Sequence, residues 1–147
     1  MLFCGKVFVV FGLFLLALPN GHDQLMGQKL YHQHQTFDVF AIYHRLFDKY
    51  PNEYFPFDYD TYFQSESECE MVVTNLNSGK AEYLTERKDK ERMMSICRAS
   101  SSMPMVSPIV KIDGNPYLDG GIADSIPIER ALEKGNEKII LVLTRNP

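Results

Sequence analysis

The stretch Leu118-Asp119-Gly120-Gly121-Ile122-Ala123-Asp124 holds the residues whose types and spacing could do chemistry. It sets a carboxylate, Asp119, at the expected end of a strand and follows it with Gly120 and Gly121. Glycine lets a backbone approach a ligand closely or take positive φ, and open α/β sheets build their sites at strand ends. An isolated D-G-G also has a plainer explanation, a tight turn in which Asp119 bonds its own backbone. Asp124 reads as a turn or cap residue for the helix that follows. His32 and His34 form an H-x-H pair that could ligate a metal. No Cys, Asp or Glu cluster beside them completes a site, so they and His22 read as solvated side chains. Cys4, Cys69 and Cys97 are odd in number and form no CxxC pair, which fits free thiols in a reducing compartment.

The elements that must position Asp119 can be read from spacing. Residues 69–74, with Met71, Val72 and Val73, and residues 81–84 read as strands and flank turn residues at 75–79, which predicts a β-hairpin. Thr85 is placed to cap a helix running to about Ala99, with Met93, Met94, Ile96 and Cys97 on its apolar face. Residues 109–112 and 116–118 flank Asp113-Gly114, the strongest hairpin signal in the chain. Pro127 suits a helix start, Glu129 its positive end, Lys134 its negative end and Gly135 a left-handed cap, which delimits a helix over 127–134. Residues 139–143 form a continuous apolar run of the kind buried on both faces of a parallel sheet. Strand, short helix and buried strand imply an α/β layered fold. Upstream, Phe37, Phe40, Ala41, His44 and Phe47 recur at helical spacing up to a stop at Pro51. Residues 52–62, rich in Tyr, Phe, Pro and Asp, read as irregular.

With 147 residues, 45% of them hydrophobic and 23% charged, the chain matches ordinary globular usage and could hold one core. A net charge of -4 supplies no broad basic surface, which argues against nucleic acid as a partner. Lys6 precedes an apolar run at residues 7–18 that partly resembles a secretory signal. Leu18 and Pro19 make a poor cleavage site, and the run is short for a membrane-spanning helix. Cytoplasmic placement is favoured, with membrane association or secretion as alternatives.

The segments Arg98-Ala99-Ser100-Ser101-Ser102-Met103-Pro104, Pro108-Ile109-Val110, Tyr117-Leu118-Asp119-Gly120-Gly121 and Asp124-Ser125-Ile126-Pro127-Ile128 resemble, in order and spacing, the patatin-like phospholipase family. Pro51-Asn52-Glu53 and Pro56-Phe57-Asp58-Tyr59 are similar to a bacterial branch of it. The resemblance implies an incomplete, C-terminal portion of a three-layer α/β/α fold over residues 37–147, with 1–36 unassigned. It also implies lipid acyl hydrolysis without cofactor or metal. In that family a serine in G-x-S-x-G attacks the ester carbonyl and the aspartate of D-G-G or D-G-A is the general base, the role that falls to Asp119, supported by Gly120 and Gly121. A weakly nucleophilic hydroxyl needs such a base within hydrogen-bond reach, and burial beside an acyl pocket would raise the carboxylate's proton affinity.

The departure from the family is the nucleophile. No serine of this sequence stands in G-x-S-x-G, and the glycine-rich oxyanion loop is also missing. The expectation is therefore a truncated chain that supplies the base aspartate, is inactive alone, and meets a lipid or other ester substrate only when the missing N-terminal half is present. Weak folding and aggregation are expected with it. The alternatives are a noncatalytic lipid-binding module using residues 7–18 against a membrane, and an unrelated α/β protein in which D-G-G is a coincidence.

Overall fold

In the computed structural model, residues 2–4, 7–9 and 44–141 are described. The histidines at 22, 32 and 34 and the aromatic positions 37–41 lie outside them, as does most of the apolar run at 7–18. A short antiparallel pair, β1 (Leu2–Cys4) and β2 (Val7–Val9), opens the chain. The main sheet contains β3 (Met71–Asn75), β4 (Ala81–Leu84), β5 (Val110–Ile112) and β6 (Asn115–Asp119), in the spatial order β4-β3-β6-β5 with every pairing antiparallel. Both hairpins expected from the sequence are present. Asp113 and Gly114 turn the second one with φ of 51° and 83°, the two positive angles that a type I′ connection requires.

β3 is the strand buried on both faces. Met71 and Val73 face helix α2 (Lys90–Ser100) and pack with Met93, Ile96, Ala99, Ile112 and Tyr117. Ile96 and Val73 are fully enclosed, each contributing about 1.5–3 kcal/mol of apolar transfer. Val72 points the other way and is covered by the turn after β6. The apolar run at 139–143 was the strand expected to be buried in this manner. Its described part, 139–141, forms no strand, and Ile140 and Leu141 are exposed while Ile139 packs on Ala131. A continuous apolar run needs a neighbouring backbone to become a strand, and among the described residues none lies beside it. The chain thus has the mixed helix and strand content of an α/β fold, with an antiparallel sheet where a parallel one was anticipated.

The helix boundaries show which polar groups won. Asp89, not Thr85, caps α2, accepting from the Glu91 and Arg92 backbone N–H groups at 2.9 and 3.1 Å. Residues 86–89 instead fold around Glu86, whose Oε1 accepts from the N–H groups of Arg87, Lys88 and Asp89. Arg92 then joins Glu86 at 2.8 Å to Asp113 at 2.7 Å, fastening the start of α2 to the type I′ turn. At the other end, Ser101 and Ser102 hydroxyls donate to the carbonyls of Cys97 and Arg98, satisfying acceptors that the helix leaves open.

The helix expected at 127–134 is α3 (Ile128–Glu133). Gly135, with φ of 76°, and Asn136 donate to Leu132 and Ala131, which closes it in a Schellman motif. The stop expected at Pro51 is absent. A π-helical segment, Arg45–Tyr54, runs through Pro51, and Phe55 N–H reaches back to Tyr50 O. Residues 52–62 are likewise more regular than expected, because Asp58 caps a short helix, α1 (Tyr59–Gln64), by accepting from both N–H and Oγ1 of Thr61.

Two carboxylates make this assembly acid-sensitive. Burial alone would raise Glu86, but the three backbone donors and Arg92 outweigh it and bring it down to about 2 from an ordinary 4.5. Glu70 is also held low, since hydrogen bonds from Arg130 and Lys134 overcome its desolvation. A carboxylate lowered on folding contributes stability above its unfolded value and loses it as pH falls through the folded one. The melting temperature should therefore be flat down to about pH 5 and drop between roughly 4.5 and 2. Differential scanning calorimetry should show Glu86→Gln melting lower at neutral pH and with a shallower acid decline.

Candidate functional site

Asp119 closes β6 opposite Val73 of β3 and begins the 3-10 turn Gly120–Ile122. Three backbone or hydroxyl bonds locate it. Its N–H donates to Ser102 O at 2.8 Å, its carbonyl accepts from Thr74 Oγ1 at 2.7 Å, and its Oδ1 accepts from Gly121 N–H at 2.8 Å. The side chain is half-buried, and among the described residues Oδ2 receives no donor. The tight turn with an aspartate bonded to its own backbone is therefore what the residues form. That same bond aims the carboxylate, so the turn and a candidate base are compatible.

The glycines are explained differently from the sequence expectation. Neither has positive φ. Gly120 is buried, and a Cβ there would overlap the carbonyl and side chain of Val72, so glycine permits close approach to β3. A Cβ on Gly121 would stand 3.3 Å from Asp119 Oδ1, a tight contact with the movable end of a side chain. Ile122 in the turn and Ile126 just after it are exposed.

Asp124 does not cap α3, which has no side-chain cap. It accepts from the Tyr83 hydroxyl of β4 instead, and burial followed by this bond pushes the Tyr83 phenol up to about 12. Arg130 of α3 lies over the Tyr83 ring, 4.8 Å from its centroid, and pairs in a fork with the buried Glu70 at 2.7 and 3.0 Å. Lys134 joins Glu70 at 3.0 Å and Glu68 at 2.8 Å. The segment after Asp119 is thus tied to the hairpin at both ends. Sequence reasoning missed Tyr83, Glu70 and Arg130, since partners 41 and 60 residues apart leave no local pattern.

Ser100, Ser101 and Ser102 terminate α2, and Ser102 also receives the Asp119 N–H. Its hydroxyl is fully buried and donates to Arg98 O, so it serves the frame and is no nucleophile. Cys69 is buried and Cys97 half-buried, both as free thiols; the side chain of Cys4 is outside the described set. Burial, then the nearby Cys69, raises Cys97 to about 11, which removes thiolate character at neutral pH. Among the described residues no group of His, Cys, Asp and Glu could hold a metal ion, and no helix is long and apolar enough to cross a membrane.

Comparison with known families matches residues 43–132 to the patatin-like phospholipase model, a span that includes the whole sheet, α2 and the D-G-G turn. The chain belongs to the patatin-like phospholipase family. An uncharacterized protein from Escherichia coli strain K12, YjjU, is 36% identical over 56 residues, a stretch covering 37% of this chain and 16% of that protein. The patatin-like chain therefore corresponds to a small part of that relative.

The patatin-like frame stands or falls with Gly120. Gly120→Ala should force β3 and the turn apart, at a cost of about 3 kcal/mol. Urea unfolding should show this as a lower midpoint. Gly121→Ala, whose Cβ would stand 3.3 Å from Asp119 Oδ1 and so asks for a shift of only a few tenths of an ångström, should lose less than about 1 kcal/mol.

Proposed function

We propose that this chain is part of a lipid acyl hydrolase and carries its general base, Asp119, while the attacking serine comes from a G-x-S-x-G elbow that these 147 residues do not contain. The observation that supports this reading is the posture of Asp119. It sits at a strand end inside the matched span, is fixed by Ser102, Thr74 and Gly121, and has one carboxylate oxygen free of donors among the described residues. A serine hydroxyl within hydrogen-bond reach of Oδ2 would lose its proton to that oxygen as Oγ attacks the ester carbonyl. The carboxylic acid would then return the proton to the leaving alkoxide. The fixed Oδ1 keeps the carboxylate from rotating away during the exchange. An ester with an acyl chain suits the exposed Ile122 and Ile126 that follow Asp119 in the chain.

The test begins with the DNA upstream of Met1, translated in three forward frames. A G-x-S-x-G preceded by a strand pattern and a glycine-rich loop is expected. The protein extended to include it should hydrolyse short-chain nitrophenyl esters, and Asp119→Asn should lower kcat by roughly 10²–10⁴-fold with KM little changed. The 147-residue chain should leave the same esters intact. Turnover by that chain, abolished by Asp119→Asn, would overturn its inactivity; no elbow in any frame would overturn the dyad and favour a noncatalytic lipid-binding protein.

A further inference from the structure

The face of the sheet opposite α2 carries Val72 and Thr74 at alternate positions of β3, with Glu70 in the same alternation just before the strand. Tyr83 of β4 pairs with Val72 and so shares that face. Each of the four holds a different point of the chain that follows β6. Thr74 Oγ1 donates to the Asp119 carbonyl at 2.7 Å, Val72 receives Gly120, the Tyr83 hydroxyl donates to Asp124, and Glu70 takes the Arg130 fork. The contacts step back from Thr74 to Glu70 as the chain runs on from Asp119 to Arg130.

Tyr83 has a particular place in this series. Asp119 Oδ1 is held by Gly121 N–H at 2.8 Å, so the posture of the carboxylate depends on the turn that contains that N–H. The turn closes on itself through Ala123 and Asp124, whose N–H groups donate to Gly120 O at 3.2 and 2.9 Å, and through Ser125, whose hydroxyl donates to Gly121 O at 3.1 Å. Gly121, Ile122 and Ala123 are exposed, so water competes for these short-range bonds. Among the described residues, the Tyr83 hydroxyl makes the only side-chain hydrogen bond from the sheet to residues 121–127. Its ring is braced by the Arg130 guanidinium, 4.8 Å from the centroid, which is itself forked onto the buried Glu70. A phenol covered on its face and bonded at its tip has little room to swing.

We infer that Tyr83 is a positioning residue for Asp119: its hydroxyl holds Asp124 so that Gly121 N–H stays in place to fix Oδ1 and leave Oδ2 free. The catalytic part of this inference rests on the proposed role of Asp119, whereas the fixing of the turn does not.

Amide hydrogen exchange in the full 147-residue chain reads the turn directly. Tyr83→Phe removes one oxygen and keeps the ring under Arg130. It should speed exchange of the Gly121 and Asp124 N–H groups about tenfold while the Met93 and Ile96 amides of α2 stay unchanged. Asp124→Ala should do the same, and Asp124→Asn, whose amide oxygen still accepts from the phenol, should stay near wild type. In the protein extended to include the serine elbow, Tyr83→Phe should lower kcat about tenfold with KM unchanged, and should cost nothing further when Asp119→Asn is already in place. Unchanged exchange at Gly121 overturns the inference. Equal acceleration at Gly121 and Ile96 also overturns it, because Tyr83 then stabilises the fold as a whole, as does a loss of kcat that adds in full to that of Asp119→Asn. An extended protein whose turnover ignores Asp119→Asn removes the proposed base and overturns the catalytic part, whatever the exchange shows.

Discussion

The approach of Gly120 to the backbone of Val72 is the contact on which the rest of this structure depends. β3 can be buried on both faces only if something without a side chain lies across Val72 where the α2 core does not reach. Gly120 does so immediately after β6 ends, and its neighbours are fixed by the same move. Asp119 is pinned by Ser102 and Thr74 on one side, and the turn is pinned through Asp124 to Tyr83 on the other. A glycine in this place is a packing requirement first. The candidate chemistry inherits its precision from it, because a carboxylate one residue from a rigid contact has little freedom to wander.

Around that contact, polar groups are arranged to satisfy each other rather than to lend stability one by one. Glu86 gathers three backbone donors and Arg92, and Arg92 reaches on to Asp113. Glu70 takes both Arg130 and Lys134 from α3. Glu70, the buried one, would be costly alone, and removing its partners would leave it uncompensated. These clusters connect α2 to the β5–β6 turn and α3 to the β3–β4 hairpin, so they hold the frame of the D-G-G turn from two directions.

Two of the stretches that carry exposed apolar residues are joined through Ser102. Ile122 and Ile126 follow Asp119 along the chain, with Ile128 and Leu132 next on α3. Met105, Val106 and Ile109 occupy the loop between α2 and β5. Ser102 connects them, since it ends α2, starts the loop and accepts the Asp119 N–H.

Much of this was legible from local chemistry. Asp113-Gly114, the two hairpins, and the end of α3 at Gly135 follow from φ preferences that neighbouring residues decide among themselves, and the family resemblance followed from the order and spacing of short segments. Where a choice lay between rival caps, sequence alone went astray: Thr85 and Asp89 both suit a helix start, and Glu86 tipped the balance by claiming the N–H groups between them. The apolar run at 139–143 states a preference for burial but not a partner, and a strand needs both. Tertiary structure alone decided that the sheet is antiparallel, that Gly120 packs on Val72, and that Asp124 serves Tyr83. The physical reason is the same in each case, because these outcomes depend on backbones and side chains brought together from distant parts of the chain, where no local propensity records the meeting.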